Sequence, residues 1–281
     1  GTYSFNLISI TIFLLPIILF SKKTLKFKSV FIFSLLLILV SNYFYGYQKI
    51  KDSKKFYKEF GIFNIKVISP KISIERFFQA NNEKYIIEEL IEISNPNTSD
   101  RTIFIFPEGA LAGVSLDQLK IFKQMFSEKF SEKHTIIMGI NTENSNKIFN
   151  SMVVLDNKLN LINEYNKIKL VPFGEFLPFE KFFNKFGLRK VSYGYKSFSS
   201  GNDRHLISLD DINFNFIPLI CYEIIYSGKV NLREDNTNFI INISEDGWFG
   251  NSIGPNQHFS HSIFRAIEEG KNIIRASNNG V

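Results

Sequence analysis

Two stretches near the start of the chain, Phe5–Phe20 (FNLISITIFLLPIILF) and Val30–Tyr47 (VFIFSLLLILVSNYFYGY), carry no charged side chain. Each runs about 16 to 18 residues, near the roughly 17–25 needed for a helix to cross a bilayer. The tyrosines from Tyr43 to Tyr47 suit an interfacial belt. A signal peptide would be single and would end in small residues. Buried core helices are the other alternative. Two uncharged runs joined by a short loop bearing Lys22, Lys23, Lys26 and Lys28 fit a membrane hairpin better than either.

Lysines in a short loop stay on the cytoplasmic side, which puts the chain after Tyr47 outside the cytoplasm. Lys49, Lys51, Lys54, Lys55 and Lys58 point the other way, but they lead into a large domain, and long translocated domains depend less on charge. The net charge of +6 also suits an anionic lipid surface, and no nucleic-acid-binding motif accompanies it. One cysteine excludes an internal disulfide and leaves the redox compartment open.

With 281 residues and 44% apolar content there is material for one large core besides the hairpin. The organisation expected is two membrane helices over 1–48, a lysine-rich linker over 49–61 and a domain over 62–281. Apolar runs predict strands at Ile62–Ser69, Thr102–Phe106, Thr135–Ile140, Ser151–Asp156, Leu159–Tyr165, Phe214–Ile220 and Phe239–Ile243. Helices are predicted at Asn81–Ser94, Ser115–Phe130 and His258–Gly270, the last stopped by its glycine. Interleaved strands and helices imply an α/β domain, a mixed sheet with helices on its outer face. The 31 phenylalanines read as core and membrane packing. The aperiodic loop Gly187–Asp203 is long enough to read as a lid or membrane-dipping arm.

Three short strings carry chemistry. Acyl transfer through a thiol needs a nucleophile, a base, and a cation or donor set for the oxyanion. The only cysteine, Cys221, follows the apolar run Phe214–Ile220 and opens CYE. A lone thiol is more often an inert core residue, but a following helix start and a nearby ammonium would lower its pKa. Glu108, in FPEG, is presented where an apolar run ends; taken alone it is equally a surface turn glutamate. In YNKIKLVPFGE, Lys167 and Lys169 lie two apart on a strand-like segment and should face one side, so spacing does not choose between them.

FPEG, YNKIKLVPFGE, LICYE, NISEDGWFGNSIGPNQHF and RASNNG together resemble the carbon–nitrogen hydrolase (nitrilase) superfamily, in particular its apolipoprotein N-acyltransferase branch, from about Ile62 to Val281. The resemblance implies a nitrilase-like α-β-β-α sandwich behind a two-helix transmembrane hairpin. It implies a catalytic triad of Glu108, Lys167 and Cys221, with Glu175, Tyr222 and Glu223 as supporting residues. It implies transfer of an acyl chain from a phospholipid, through a cysteine thioester, to the N-terminal amine of a diacylglyceryl-cysteine lipoprotein, with no metal or organic cofactor. The location implied is a bacterial inner membrane, with the catalytic domain outside the cytoplasm.

A tryptophan usual early in the branch's domain is missing, and Phe77 or Phe78 stands there; Trp248, in DGWFG, is expected to be structural. The lack of a starting Met, and a last residue that directly follows the strand-and-turn string NIIRASNNG, are read as both ends cut from a longer protein. A membrane-tethered amidase or nitrilase using the same triad, and a catalytically silent binding module, are the competing readings.

Overall fold

A computed structural model describes residues 2–53, 63–77, 83–179, 197–230, 237 and 239–279 of the chain. The chain divides into two compact units, Gly1–Phe60 and Gly61–Val281. Most of the expected linker 49–61, residues 187–196 of the aperiodic loop, and Phe78 lie outside the described residues.

The first unit contains α1 (Thr2–Phe13), α2 (Leu15–Phe20) and α3 (Leu25–Ser53). Pro16 explains the break between α1 and α2: it has no N–H to give, and Ile17 N bonds Leu14 O three residues back instead. Tyr3–Phe20 and Leu25–Asp52 are long and apolar enough to cross a membrane. Almost none of either stretch is buried within the protein, so these apolar surfaces are left for a surrounding apolar medium. From the first turn of α3, Lys28 Nζ donates to Leu19 O at 2.6 Å, covering one carbonyl left open at the end of α2.

The second unit is built on two sheets. The first, in order β1–β5, comprises Asn64–Val67, Thr102–Ile105, His134–Asn144, Lys147–Leu155 and Leu161–Asn166; β1, β2 and β3 are parallel, and β4 and β5 add on antiparallel. The second holds β6 (Ile207–Leu209), β7 (Phe214–Ile220), β8 (Phe239–Ser244) and β9 (Asn272–Ser277), with β7–β9 parallel. Alternation along each strand sends side chains to opposite faces. Ile103 and Ile105 meet Phe216, Ile241 and Ile243 of the second sheet in a central core. Phe104 and Phe106 point the other way, under α4 (Glu83–Ser94), α5 (Leu116–Leu119) and α6 (Lys123–Lys129). A final helix, α7 (Gly254–Glu269), comes after β8. The result is an α-β-β-α sandwich.

The residue-level expectation of one mixed sheet is corrected to two. Strand β6 escaped the sequence reading because it is three residues long and its middle residue is Ser208. Ser115–Phe130 is not one helix: a 3-10 turn at Lys120–Phe122 separates α5 from α6, and no Pro or Gly marks the break.

Candidate active site

Glu108 lies just beyond β2, after Phe106 and Pro107. It can lie against β3 because residue 139 is glycine: a Cβ there would sit 2.6 Å from the Cα of Glu108. The carboxylate is buried and accepts three hydrogen bonds, from Asn150 Nδ2 (2.7 Å) and Lys167 Nζ (3.2 Å) at Oε1 and from Glu245 N (3.1 Å) at Oε2.

Lys167 comes directly after the last residue of β5, and its backbone is anchored by Lys167 N to Asn150 O at 2.9 Å. Its ammonium is buried between Glu108 and Glu175, 2.8 Å from the latter. Burial works against that charge, but Glu108 and Glu175 outweigh it and hold the lysine well above the ordinary ammonium range. Lys169 is exposed. The expectation that the two lysines share a face fails because the strand ends at Asn166 and the chain bends at Ile168 and Lys169. Glu223 holds that bend, accepting from Ile168 N (3.0 Å) and Lys169 N (3.1 Å).

Glu223 also accepts from Ile220 N (2.9 Å), Tyr165 OH (2.8 Å) and Arg204 Nη2 (3.1 Å). One buried carboxylate thus ties the lysine segment of the first sheet to the strand that delivers Cys221 from the second. Glu175 accepts from Lys167 Nζ, from Asn150 Nδ2 (2.7 Å) and from Val171 N (2.8 Å). Tyr222 lies on the cavity wall, its ring edge-on to Tyr226 at 5.6 Å.

Cys221 adopts a left-handed backbone, φ 49°, a conformation that costs a non-glycine residue about 1–3 kcal/mol and gathers at functional positions. It opens a five-residue 3-10 turn, Cys221–Ile225. The expected lowering of the thiol pKa is overturned. Burial, and next the charge of Glu108, push the thiol far up, with Lys167 pulling only partly against them.

Glu108, Lys167, Glu175, Cys221 and Tyr222 line one cavity of about 450 Å³. Most of its wall is apolar, with Leu111, Ile140, Val171, Phe173, Trp248 and Phe249 among the lining. Trp248, expected to play a structural role near the site, is about 42% exposed on that wall. The described end of the aperiodic loop is fastened beside the site: Phe198 N bonds Glu175 O at 2.9 Å and Gly201 N bonds Lys167 O at 2.9 Å. A Cβ at Gly201 would collide with Asn166 O at 2.2 Å. Among the described residues no cluster of His, Cys, Asp and Glu is placed to hold a metal ion.

Two groups of residues went unassigned in the sequence reading. Asn150 links both glutamates from the middle of β4, with no local signal. Asp246 and His258 lie inside NISEDGWFGNSIGPNQHF but received no role. They are 2.8 Å apart, with Arg275 Nη2 on the other oxygen of Asp246 at 2.5 Å.

This two-sheet sandwich is the fold of a known class: residues 100–281 match the carbon-nitrogen hydrolase family, and the chain belongs to it. A protein named apolipoprotein N-acyltransferase from Wigglesworthia glossinidia brevipalpis is 31% identical over 290 aligned residues, covering 100% of this chain and 55% of its own length. One of the same name from Rickettsia prowazekii (strain Madrid E) is 29% identical, with coverage of 100% and 56%. The chain thus spans about half the length of these curated relatives. Among solved structures, a glutamine-dependent NAD+ synthetase from Acinetobacter baumannii shares the fold at 18% identity and a TM-score of 0.51, over 75% of this chain and 38% of that one.

Proposed function

We propose that this chain carries the catalytic centre of an N-acyltransferase that moves an acyl chain from a phospholipid to the N-terminal amine of a diacylglyceryl-cysteine lipoprotein. The observation that carries the reading is a thiol sharing an apolar-walled cavity with a carboxylate–ammonium–carboxylate cluster, in a chain with two membrane-length helices.

Cys221 is the nucleophile, Glu108 the base and Lys167 an oxyanion donor. As Sγ bonds to the ester carbonyl carbon its proton passes to Glu108, so negative charge moves from carboxylate to sulfur and substrate without raising the buried total. Lys167, fixed as ammonium, donates to the oxyanion. The carbon–oxygen bond breaks, Glu108 returns the proton to the leaving alkoxide, and lysophospholipid departs from a thioester. The lipoprotein amine then attacks, Glu108 takes an amine proton, the carbon–sulfur bond breaks and the proton returns to sulfur. Glu175 keeps Lys167 between two carboxylates, Glu223 aligns the two segments, and Tyr222 borders the acyl chain.

Both substrates are lipids, and drawing an acyl chain into water costs about 0.8 kcal/mol per CH₂. Membrane helices at the front of the chain lower that cost by keeping the enzyme at the bilayer. The lysines at the α2–α3 junction (Lys22, Lys23, Lys26 and Lys28) favour a bacterial inner membrane with the catalytic domain on its outer side. The apolar cavity wall favours a lipid acyl group over the small polar amide of an amidase. Mass spectrometry of the protein incubated with phospholipid should find an acyl adduct on the Cys221 peptide, absent from Cys221→Ala and discharged by an added amine. An unmodified Cys221 in the wild-type protein refutes the reading.

A further inference from the structure

Helix α7 buries His258, Ser262 and Arg265, at i, i+4 and i+7, and leaves Phe259, Ile263, Phe264 and Ile267 exposed. The inward stripe meets the backbone of the Cys221–Ile225 turn. His258 Nε2 lies 3.2 Å from Cys221 O, and Arg265 Nε donates to Ile224 O at 3.0 Å. The last carbonyls of such a turn have no partner within it, and Ile224 O takes its donor from Arg265. Asn242 Nδ2 reaches Cys221 O as well, at 3.5 Å, while bonding Leu219 O at 3.2 Å.

The ring of His258 is itself fixed. Its Nδ1 is 2.8 Å from Asp246 Oδ1, which also accepts from Ser244 Oγ at 2.9 Å, and Arg275 Nη2 holds Oδ2. Burial disfavours the charge on Asp246, yet His258 and Arg275 keep its carboxyl well below the usual range, so it stays an ionised acceptor. The ring is thereby oriented with Nε2 towards a carbonyl that can only accept.

We propose that His258 is a positioning residue: gripped by Asp246, it holds the carbonyl of Cys221, keeps that residue in its left-handed conformation and so aims the thiol into the cavity. The inference deepens the acyl-transfer reading and rests on it only for the identity of the acyl donor.

The amides of Gln and Asn separate the two contacts of the ring. In His258→Gln the amide reaches the position of Nε2 and restores the donor to Cys221; in His258→Asn it reaches only that of Nδ1 and restores the donor to Asp246. Three quantities are measured on the chain with its membrane helices, in detergent micelles. They are the rate and KM of Cys221 acylation by p-nitrophenyl butyrate, adduct formation from phospholipid, and the thermal midpoint.

His258→Asn should slow acylation about a hundredfold, the loss typical of a reacting atom misplaced by roughly 1 Å, with KM little changed. His258→Gln should recover most of that loss. Equal rates in both variants, or losses that track the thermal midpoint in parallel, overturn the proposal. If the butyrate pattern appears while phospholipid leaves no adduct on the wild-type protein, positioning stands and the phospholipid reading falls. No adduct from either probe overturns both.

Discussion

Helices α4 and α7 both cover the sandwich, yet they turn opposite kinds of residue inward. α4 buries Ile86, Ile87, Leu90 and Ile91 and sends Lys84, Glu88 and Glu92 to solvent, as an amphipathic helix does in water. α7 buries an imidazole, a hydroxyl and a guanidinium and exposes Phe259, Ile263, Phe264 and Ile267. α4 lies on strands whose backbone groups are already paired, so oil meets oil. α7 lies on a 3-10 turn whose carbonyls need donors, and an unpaired buried carbonyl costs about 1–3 kcal/mol. Which stripe of a helix goes inside is decided by what it lands on.

The largest effect expected from this comparison is at Arg265. Its guanidinium is fully buried, pairs with Glu268 and reaches Ile224 O. Replacing Arg265 by Met removes one partner of a buried ion pair, a change that typically costs about 3–5 kcal/mol. It should also slow Cys221 acylation per folded molecule, because the turn that begins with Cys221 loses a support. A thermal midpoint within a degree or two of wild type would show that the polar stripe is not holding the turn.

Leu90→Ala makes the matching change under α4. Leu90 is fully buried in the outer core, and such truncations cost about 2–5 kcal/mol. Stability should fall, as measured by denaturant titration, while acylation per folded molecule stays at the wild-type rate. A drop in the acylation rate would erase the distinction between a helix that only stabilises and one that also positions.

The same contrast separates what the sequence disclosed from what it hid. The stripe of α4, the apolar runs of β2, β7 and β8, and the motif residues Glu108, Lys167 and Cys221 are local patterns, readable because neighbours in the chain carry them. Lys169 could not be set aside by spacing, since the bend that parts it from Lys167 is made by Glu223, more than fifty residues on. The thiol environment was read with the wrong sign. The segment after the thiol is a short 3-10 turn, and two carboxylates brought from the other sheet act on the sulfur. Asn150 bridges Glu108 and Glu175 only because β4 passes beneath both. Groups whose role comes from a partner in another element leave no local trace.

A smaller, pH-dependent effect is expected at Asp246, the carboxylate that orients the buried face of α7. Asp246→Asn keeps an acceptor but loses the charge, with an expected cost of about 1–3 kcal/mol at neutral pH. The folded-state pKa of Asp246 is depressed, so its stabilisation is fully present above the unfolded value of about 3.9 and is lost as pH falls through the folded value. Denaturation midpoints at pH 7, 5 and 3 should show wild type and variant apart at the first two and converging at the third. A gap that widens on acidification would mean that His258 and Arg275 do not stabilise the ionised carboxylate.

The smallest effect should come from the outer face of α7. Ile263 is about half exposed, and surface substitutions away from special contacts usually change stability by no more than about 0.5 kcal/mol. Ile263→Ser should therefore leave the thermal midpoint within about 1–2 °C of wild type, at 2–4 °C per kcal/mol for a domain of this size. The corresponding change on α4, at Leu90, should be several times larger. A loss above about 1 kcal/mol at Ile263 would mean that the apolar face is covered in the working protein, and α7 would then be a helix buried on both sides, polar against the Cys221–Ile225 turn and apolar against its cover.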